Sequence, residues 1–237
     1  MDITLHLRDR RLEAENVTTF RFEPELPVGY QAGQYLRYTL PHPEPDSRGI
    51  SRYFTMASAP SEPFIMLTTR LSSPGSTFKH ALAALEPGAA VAATGPLGRF
   101  VYTQYDTPAV FIAGGIGITP FRSMVVEWAA QQRSAEITLL YANRSPEIAF
   151  RGLLDELARA HPAVRIVYIV SHPTADWRGP VGHIDAAFID AHVPDLLSPR
   201  FYAAGPQAMV EAMGQALGQL GVQRERIQQE IFPGYSP

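Results

Sequence analysis

The stretch RYFTMASAP, residues 52–60, carries three kinds of side chain that together could bind a flat, anionic ligand. Strand alternation places Arg52 and Phe54 on one face, and Tyr53 and Thr55 on the other. A guanidinium on a strand favours an anionic partner, and phosphate matches its geometry best. The aromatic ring could stack on a planar group, and the threonine hydroxyl could hydrogen-bond a ring nitrogen. A planar cofactor that carries phosphate accounts for all three features.

A second phosphate-binding feature follows in SSPGSTFKHAL, residues 72–82. Pro74 and Gly75 predict a turn, and Ser76 or Thr77 predicts the N-cap of a helix. The free N–H groups at a helix start can hold a phosphate. Each stretch by itself is more often structural, as an ordinary strand or an ordinary capped helix. Both together, ahead of a nucleotide-type domain, favour a flavin.

The stretch VFIAGGIGITPFRSM predicts a nucleotide-binding turn, because it follows an apolar strand and opens a helix. Gly114, Gly115 and Gly117 would let the backbone approach a phosphate, and the helix start would add N–H groups and a positive dipole end. Pro120 replaces the third glycine of the usual dinucleotide fingerprint, and proline is tolerated in a first helical turn. A lone Gly-x-Gly also fits a tight strand–helix turn.

Two types of element must position these motifs. Short strand-like runs, cut by proline and glycine, fill the first half of the chain and predict a six-stranded antiparallel β-barrel with one short helix at about Thr77–Leu85. After them, apolar runs alternate with helical stretches, which predicts a parallel five-stranded sheet flanked by helices. We therefore expect a two-domain α+β chain with a barrel domain at residues 1–105 and an α/β domain at residues 106–237. The predicted barrel strands are Ile3–Leu7, Thr18–Phe22, Tyr35–Leu40, Tyr53–Ala57, Phe64–Leu71 and Ala89–Thr94.

The composition limits the function classes. Of 237 residues, 46% are hydrophobic and 18% are charged, so the chain can bury large cores. A net charge of −3 gives no general attraction to nucleic acid, and the most apolar run, AVFIAGGIGI, is too short to cross a bilayer. Without cysteine, disulfides and cysteine-ligated iron–sulfur clusters are excluded within this sequence. We expect a cytoplasmic protein with no metal site, no nucleic-acid partner and no membrane insertion; no pattern indicates its oligomeric state.

These motifs together resemble the ferredoxin–NADP⁺ reductase family, from Leu5 to Tyr235. The resemblance implies FAD, with FMN the less favoured flavin. Arg52 would contact the FAD diphosphate, and Phe54 would pack on the isoalloxazine in place of the family's usual tyrosine. Thr55 would hydrogen-bond near flavin N5. The other FAD-binding residues that the resemblance implies are Tyr53, Thr69, Arg70, Gly75, Ser76, Thr77 and Phe232.

The same resemblance implies a nicotinamide nucleotide in the second domain. Ala204 stands where the family often has a cysteine. Arg144 could contact a 2′-phosphate or be an ordinary loop arginine, and His172 stands where NADPH users often have arginine, so NADH and NADPH both remain open as co-substrates. The NAD(P)-binding residues implied are Gly114, Gly115, Gly117, Ile118, Thr119, Pro120, Asn143, Arg144, Gly205, Pro206 and Met209.

The chain end, IQQEIFPGY, reads as a last strand with a short tail. Glu230 and Phe232 match the family spacing of a glutamate followed two residues later by an aromatic residue over the flavin. Phe232 would shield the flavin until nicotinamide displaces it, and Glu230 could relay a proton or tune the site. A buried aromatic that only anchors the terminus fits the same pattern. Tyr235 is the alternative cover. With Thr55, Glu230 and Phe232 form the predicted catalytic set.

The resemblance implies an FAD-dependent enzyme that takes hydride from NAD(P)H and passes electrons to a separate acceptor, with a ferredoxin or flavodoxin the leading choice. One alternative is an NAD(P)H:flavin reductase that releases its flavin reduced. Another is a non-catalytic, flavin-bearing electron-transfer or redox-sensing subunit.

Overall fold

The computed structural model describes residues 1–71 and 75–233, and these ranges form two sheets with different strand directions. Pro74 and Tyr235, two residues singled out from the sequence, lie outside the described ranges. The connection between the two sheets runs from residue 98 to residue 108, and the boundary predicted at residue 105 falls inside it.

The first sheet is antiparallel and has six strands in the order β4-β3-β6-β1-β2-β5. A bridge between Met56 and Leu67 joins its two outer strands, which curls the sheet into the expected barrel. One helix, α1 (Thr77–Ala83), ends two residues before the predicted bound. The strands are β1 (Asp2–Ala14), β2 (Val17–Pro24), β3 (Tyr35–Thr39), β4 (Ser51–Thr55), β5 (Ile65–Arg70) and β6 (Ala90–Leu97).

Alternation along the strands builds the barrel interior. Leu5 and Leu7 of β1 are buried, as are Phe20 and Phe22 of the facing strand β2, while their neighbours point outward. Strand β1 extends seven residues beyond the predicted Leu7, because its charged run pairs with β2 up to Val17. Apolar periodicity does not reveal that extension.

The second sheet is parallel and has five strands, as predicted, and their order is β11-β10-β7-β8-β9. Its strands are β7 (Ala109–Gly114), β8 (Ile137–Asn143), β9 (Val164–Val170), β10 (Arg200–Gly205) and β11 (Ile227–Ile231). Its helices are α2 (Ile118–Ala130), α3 (Arg151–Ala160), α4 (Ala186–His192) and α5 (Gln207–Gln219). The sequence pattern had not singled out α4.

Aromatic residues pack at the junction between the barrel and the α/β sheet. Phe100 follows the last barrel strand, and its ring contacts Phe121 of α2 at 5.7 Å and Tyr202 of β10 at 5.8 Å between centroids. Gly33 of the barrel has φ of +100°, and an added Cβ would lie 2.2 Å from the Phe100 carbonyl oxygen. Because the backbone and the rings are this closely packed, the barrel and the α/β sheet form a tight, largely apolar junction.

Candidate functional site

A cleft of about 570 Å³ opens where the barrel meets the α/β domain. It brings together residues from four stretches that the sequence had marked separately: the arginine strand, the turn before α1, the glycine turn and the chain end. The predicted site residues that line it are Arg52, Tyr53, Phe54, Thr55, Ser76, Thr119, Glu230 and Phe232. Tyr35, Arg48, Thr68, Lys79, Ile116, Ile231 and Pro233 complete the lining.

Arg52 is held in place by a dense set of acceptors. One terminal nitrogen donates to the carbonyl oxygens of Arg48, Gly49 and Ser51 at 2.8–3.0 Å. The other donates to Asp46 Oδ1 at 2.7 Å, and the guanidinium lies over the Phe78 ring at 5.5 Å. Its Nε is buried and has no hydrogen-bond partner among the described residues. Arg52 is thus fixed at the cleft wall with one buried donor unused.

Asp46 is the anion that Arg52 meets in this structure, and the sequence motif did not point to it. Hydrogen bonds from Arg48, and then from Arg52, hold the pKa of the Asp46 carboxyl well below its usual range. The carboxylate is therefore charged at neutral pH. It would compete with a cofactor diphosphate for the same guanidinium, because both are anions that match its fork of donors.

The two hydroxyl residues at the start of α1, both predicted to bind phosphate, make different contacts in the structure. Ser76 is the N-cap, its hydroxyl accepts from the Lys79 N–H at 3.3 Å, and it lines the cleft. Thr77 does not line the cleft. Its Oγ1 accepts from the Asp46 N–H at 3.0 Å and lies 3.0 Å from His42 Nε2. Thr77 thereby ties the loop that carries Asp46 to the helix.

Two aromatic residues of β4 border the cleft on opposite faces of the strand. Phe54 packs against Tyr38 and Phe78, with ring centroids 5.9 and 5.8 Å away. Tyr53 is 63% exposed, and its ring meets the edge of Tyr35 at 5.7 Å. The predicted alternation of this strand is therefore observed, and both faces leave an aromatic ring at the cleft.

Polar groups from three parts of the chain meet in the cleft. Thr55 and Thr119 are buried, and the Thr119 hydroxyl donates to the Ile116 carbonyl at 3.2 Å. Glu230 is largely buried, and its Oε2 has no hydrogen-bond partner in the described part of the chain. Burial raises the pKa of Glu230 from its ordinary value near 4.5 to about 7. A carboxyl in that range can give or take a proton at neutral pH.

The glycine turn lies at the position where parallel sheets bind ligands. It follows β7, whose neighbours β8 and β10 are reached in opposite directions along the sheet, and such switch points open a crevice at the carboxyl ends of the strands. Gly115 has φ of +51°. A Cβ on Gly117 would lie 2.2 Å from the Ala204 carbonyl oxygen, and one on Gly114 would lie 2.1 Å from Met209 Sδ. At Gly117 only glycine permits this approach of two backbone segments, whereas at Gly114 the neighbour is a flexible methionine side chain.

The turn after β10 anchors the chain end. Gly205 has φ of +154°, and Pro206 precedes α5. The N–H of Phe232 donates to the Gly205 carbonyl at 2.9 Å, so the backbone of Phe232 is fixed beside the glycine turn. Its ring is half-buried and lines the cleft.

The remaining predicted residues do not line the cleft. Arg70 Nη2 lies 3.7 Å from where a Gly115 Cβ would stand, so this barrel arginine reaches the α/β domain. Asn143 has a buried Nδ2 with no hydrogen-bond partner within residues 1–71 and 75–233. Arg144 and His172 are exposed neighbours, joined by a 2.7 Å backbone hydrogen bond. Among the remaining predicted residues, Ile118, Pro120 and Thr69 are buried, and Gly75 is half-buried before α1.

Several observations match a flavin and a nicotinamide dinucleotide. The buried, unused Nε of Arg52 is suited to a phosphate oxygen. The cleft volume, two aromatic rings and buried hydroxyls suit a planar ring system with hydrogen-bonding edges. The backbone N–H groups at the start of α2, directly after the glycine turn, are of the kind that hold a diphosphate. Within the described ranges, no group of three His, Asp or Glu residues is placed to hold a metal ion, and no helix has the length and apolar character to cross a membrane.

Comparisons with known proteins identify the family of this chain. The sequence matches the Oxidoreductase FAD-binding domain family at residues 4–102 and the Oxidoreductase NAD-binding domain family at residues 111–215. Ferredoxin–NADP reductase B of Sorangium cellulosum (strain So ce56) is 32% identical over 86% of this chain and 85% of that protein. NADH-cytochrome b5 reductase 1 of Coccidioides immitis (strain RS) is 28% identical over 95% of this chain and 78% of that protein.

The crystal structure of the Amycolatopsis cytochrome P450 reductase GcoB superposes with a TM-score of 0.86 and 27% identity, over 98% of this chain and 70% of that one. The fold and the cleft thus define a two-domain flavin- and nicotinamide-dependent oxidoreductase. The chain belongs to the ferredoxin–NADP reductase-like family of FAD-dependent NAD(P)H oxidoreductases.

Proposed function

We propose that this protein oxidises NAD(P)H and delivers the electrons to a separate one-electron acceptor, a ferredoxin or a flavodoxin. The observation that carries the proposal is the single cleft in which Thr55 of the barrel, Thr119 of the glycine turn and Glu230 of the last strand meet. FAD bound there would take the C4 hydrogen of NAD(P)H with its two electrons onto N5, and then supply electrons one at a time. The ferredoxin reductase among the relatives supports this choice of acceptor.

The chain's own residues have three tasks in this proposal. Arg52 and Ser76 bind the diphosphate of FAD, and the glycine turn at the start of α2 binds that of NAD(P)H. Phe232, fixed to Gly205 through its N–H, covers the cleft until nicotinamide enters. Thr55 orients the reacting edge of the flavin by a hydrogen bond. Glu230 holds or releases a proton near neutral pH, because its pKa is about 7.

The rim of the cleft offers a surface for the acceptor. Tyr53 is 63% exposed and Leu97 is 39% exposed, and both are partners of β3 residues across the barrel sheet. Arg37, the direct cross-strand partner of Tyr53, is also exposed. Exposed apolar groups beside an arginine suit a protein surface of opposite charge, which favours a protein acceptor over a small molecule.

A second candidate function rests on Asp46. Its carboxylate accepts a 2.7 Å hydrogen bond from Arg52 and would weaken the binding of a diphosphate by this arginine. A loosely held flavin is the property that an NAD(P)H:flavin reductase requires. The amount of flavin that copurifies separates the two: near one flavin per chain supports the ferredoxin or flavodoxin reductase, whereas a colourless protein that reduces added flavin supports the flavin reductase.

The direct test is anaerobic mixing of the FAD-loaded protein with NADH and with NADPH in separate stopped-flow experiments. We expect the flavin absorbance near 450 nm to bleach with at least one nicotinamide, and the rates to show which is preferred. Reduced protein should then reduce a ferredoxin or a flavodoxin. No bleaching with either nicotinamide would refute the enzymatic proposal and leave a non-catalytic, flavin-bearing subunit.

A further inference from the structure

An ion pair between a buried arginine and a half-buried glutamate joins the barrel to helix α2 outside the cleft. Arg122 of α2 is 6% exposed, and both of its terminal nitrogens donate to the carboxylate of Glu62, one of them at 2.8 Å to Oε1. The same guanidinium donates to the Ala57 carbonyl at 3.0 Å. Ala57 and Glu62 belong to the segment between β4 and β5, so this pair crosses from one domain to the other.

Two further hydrogen bonds connect the same elements. The Ser123 hydroxyl donates to the Ser58 carbonyl at 2.5 Å, and the Ser61 N–H donates to Glu127 Oε2 at 2.9 Å. Ser58 is itself fixed from the barrel side, because the Tyr30 hydroxyl donates to its carbonyl at 3.0 Å. We call this set, centred on Arg122 and Glu62, the domain clamp.

The domain clamp is close in sequence to both halves of the proposed reaction site. On the barrel side, Ala57 is two residues from Thr55. On the α/β side, Arg122 is three residues from Thr119, about 4.5 Å along a helix that rises 1.5 Å per residue. Thr55 and Thr119 both line the cleft. A shift between Arg122 and Glu62 would therefore change the distance between the flavin strand and the glycine turn.

The domain clamp is better suited to fixing the relative position of the two domains than to stabilising the contact between them. A buried ion pair often adds little net stability compared with apolar residues of similar size, because both charges lose their water. An arginine fork on a carboxylate, however, fixes angle and distance in a way that an apolar contact does not. The junction already has an apolar contact around Phe100 and Phe121, so cohesion alone does not require the ion pair.

We propose that Arg122 and Glu62 are positioning residues for hydride transfer: they set the spacing between the nicotinamide and the flavin. This inference rests on the function proposed above. A displacement of about 1 Å at a reacting centre can slow a reaction by roughly 100-fold. Loss of the clamp should therefore slow hydride transfer without weakening the binding of either cofactor.

The test replaces both clamp residues by apolar ones of similar size, Arg122→Met with Glu62→Leu, so that no buried charge is left unpaired. We expect hydride transfer at saturating NAD(P)H, followed by anaerobic bleaching, to slow by about 10- to 100-fold. The dissociation constants of FAD and NAD(P)H should stay within about threefold of wild type, well under the tenfold that 1.4 kcal/mol represents. The temperature dependence of the deuterium isotope effect with 4-deuterated nicotinamide should steepen, because the transfer distance is less well fixed.

The matched control is Arg8→Gln with Glu23→Gln, which removes an exposed arginine–glutamate pair, bonded at 3.0 Å on the barrel surface. It should leave the rate and the isotope effect unchanged. A clamp variant that melts at a lower temperature but transfers hydride at the wild-type rate would overturn the proposal. If the double variant does not fold, Arg122→Lys, which keeps the charge but loses the fork, should be at least about fivefold slower with full flavin content; a wild-type rate would again overturn it. Failure of the wild-type flavin to bleach would refute the proposed function, and the clamp proposal with it.

Discussion

On the barrel side of the cleft, the groups proposed to bind a diphosphate are side chains that neighbouring groups hold in place, whereas on the α/β side they are backbone groups of a turn whose glycines let other segments pack closely against it. Arg52 is fixed by Asp46 and three carbonyls. Gly114 and Gly117 are close-packed against Met209 and Ala204 with no room for a Cβ. One substitution of a charged side chain can therefore change the affinity of the barrel side for a diphosphate. On the α/β side, only a change in backbone shape can do so. Predictions at Gly117, Arg52 and Gly115 test that contrast and one at Glu230 tests the cleft between the two sides, in order from the largest expected effect to the smallest.

Gly117→Ala should have the largest effect on stability and on NAD(P)H binding at the α/β side of the cleft. The new Cβ would stand 2.2 Å from a backbone oxygen of Ala204, so one of the two segments must move. We expect a loss of about 3 kcal/mol in the free energy of unfolding, the upper end of the usual overpacking cost. NAD(P)H binding should weaken strongly while FAD binding is retained, as measured by denaturant unfolding and titration. Gly218→Ala in α5, where a Cβ meets nothing within 4 Å, is the control and should be neutral or slightly stabilising.

Glu230→Gln should remove a pH-dependent penalty on folding. Below pH 4.5 the folded and unfolded states both carry the proton, so the wild type and the variant should be equally stable. From there to pH 7 only the folded state keeps it, so the contribution of Glu230 to the wild-type free energy of unfolding should fall by about 1.4 kcal/mol per pH unit. At pH 8 the variant should thus be more stable by about 3 kcal/mol, measured by urea unfolding across pH.

The same variant should also flatten any inflection near pH 7 in the rate of flavin bleaching. Glu211→Gln, an exposed change in α5, serves as the control. If the difference in stability between the wild type and Glu230→Gln does not grow from pH 4.5 to pH 7, Glu230 is not held protonated by burial.

Arg52→Ala should weaken FAD binding by about 2 kcal/mol, roughly thirtyfold in the dissociation constant, because a charge-assisted hydrogen bond is lost. NAD(P)H affinity of the α/β domain should change little, which separates the two halves. Arg21→Ala is the matched control. It removes another ion-paired barrel arginine, bonded to Asp9 at 2.7 Å, and should lower stability without changing FAD affinity. An Arg52→Ala protein with its full yellow colour would contradict the role assigned to this residue.

Gly115→Ala should have the smallest effect. Its φ of +51° disfavours a side chain, but a Cβ would meet only the end of the Arg70 side chain at 3.7 Å. The expected cost is about 1 kcal/mol of stability, visible in thermal unfolding. Asn tolerates this conformation, so Gly115→Asn should cost less than the alanine change. Equal losses at positions 115 and 117 would refute the idea that close approach, and not φ alone, demands glycine at Gly117.

Sequence patterns predicted those features of the structure that depend only on residues close together in the chain. The strand before the glycine turn is apolar at every position because both faces are covered, and the turn residues follow it directly. Alternation placed Phe54 and Tyr53 on opposite faces, as observed. The two-sheet architecture was predicted because each half repeats one type of element.

Side-chain pairings that depend on how a loop folds back, or on residues far apart in the chain, could not be predicted from the sequence. Asp46 sits in a loop rich in proline and polar residues, and nothing local shows that its carboxylate turns back to Arg52. Glu62 and Arg122 are 60 residues apart, and each looks like an ordinary surface charge in isolation. Thr77 shows the same limit: the pattern identified a helix start, but only the folded chain shows that its hydroxyl bonds the loop before β4.

Lys79, whose Nζ donates to the Arg70 carbonyl at 2.8 Å at the cleft wall, is the sole lysine of the sequence. An amine-selective acylating reagent therefore has a single side-chain target, and that target borders the place where a cofactor would sit. The mass shift of the one peptide that contains it becomes a footprint of occupancy, readable without any optical signal.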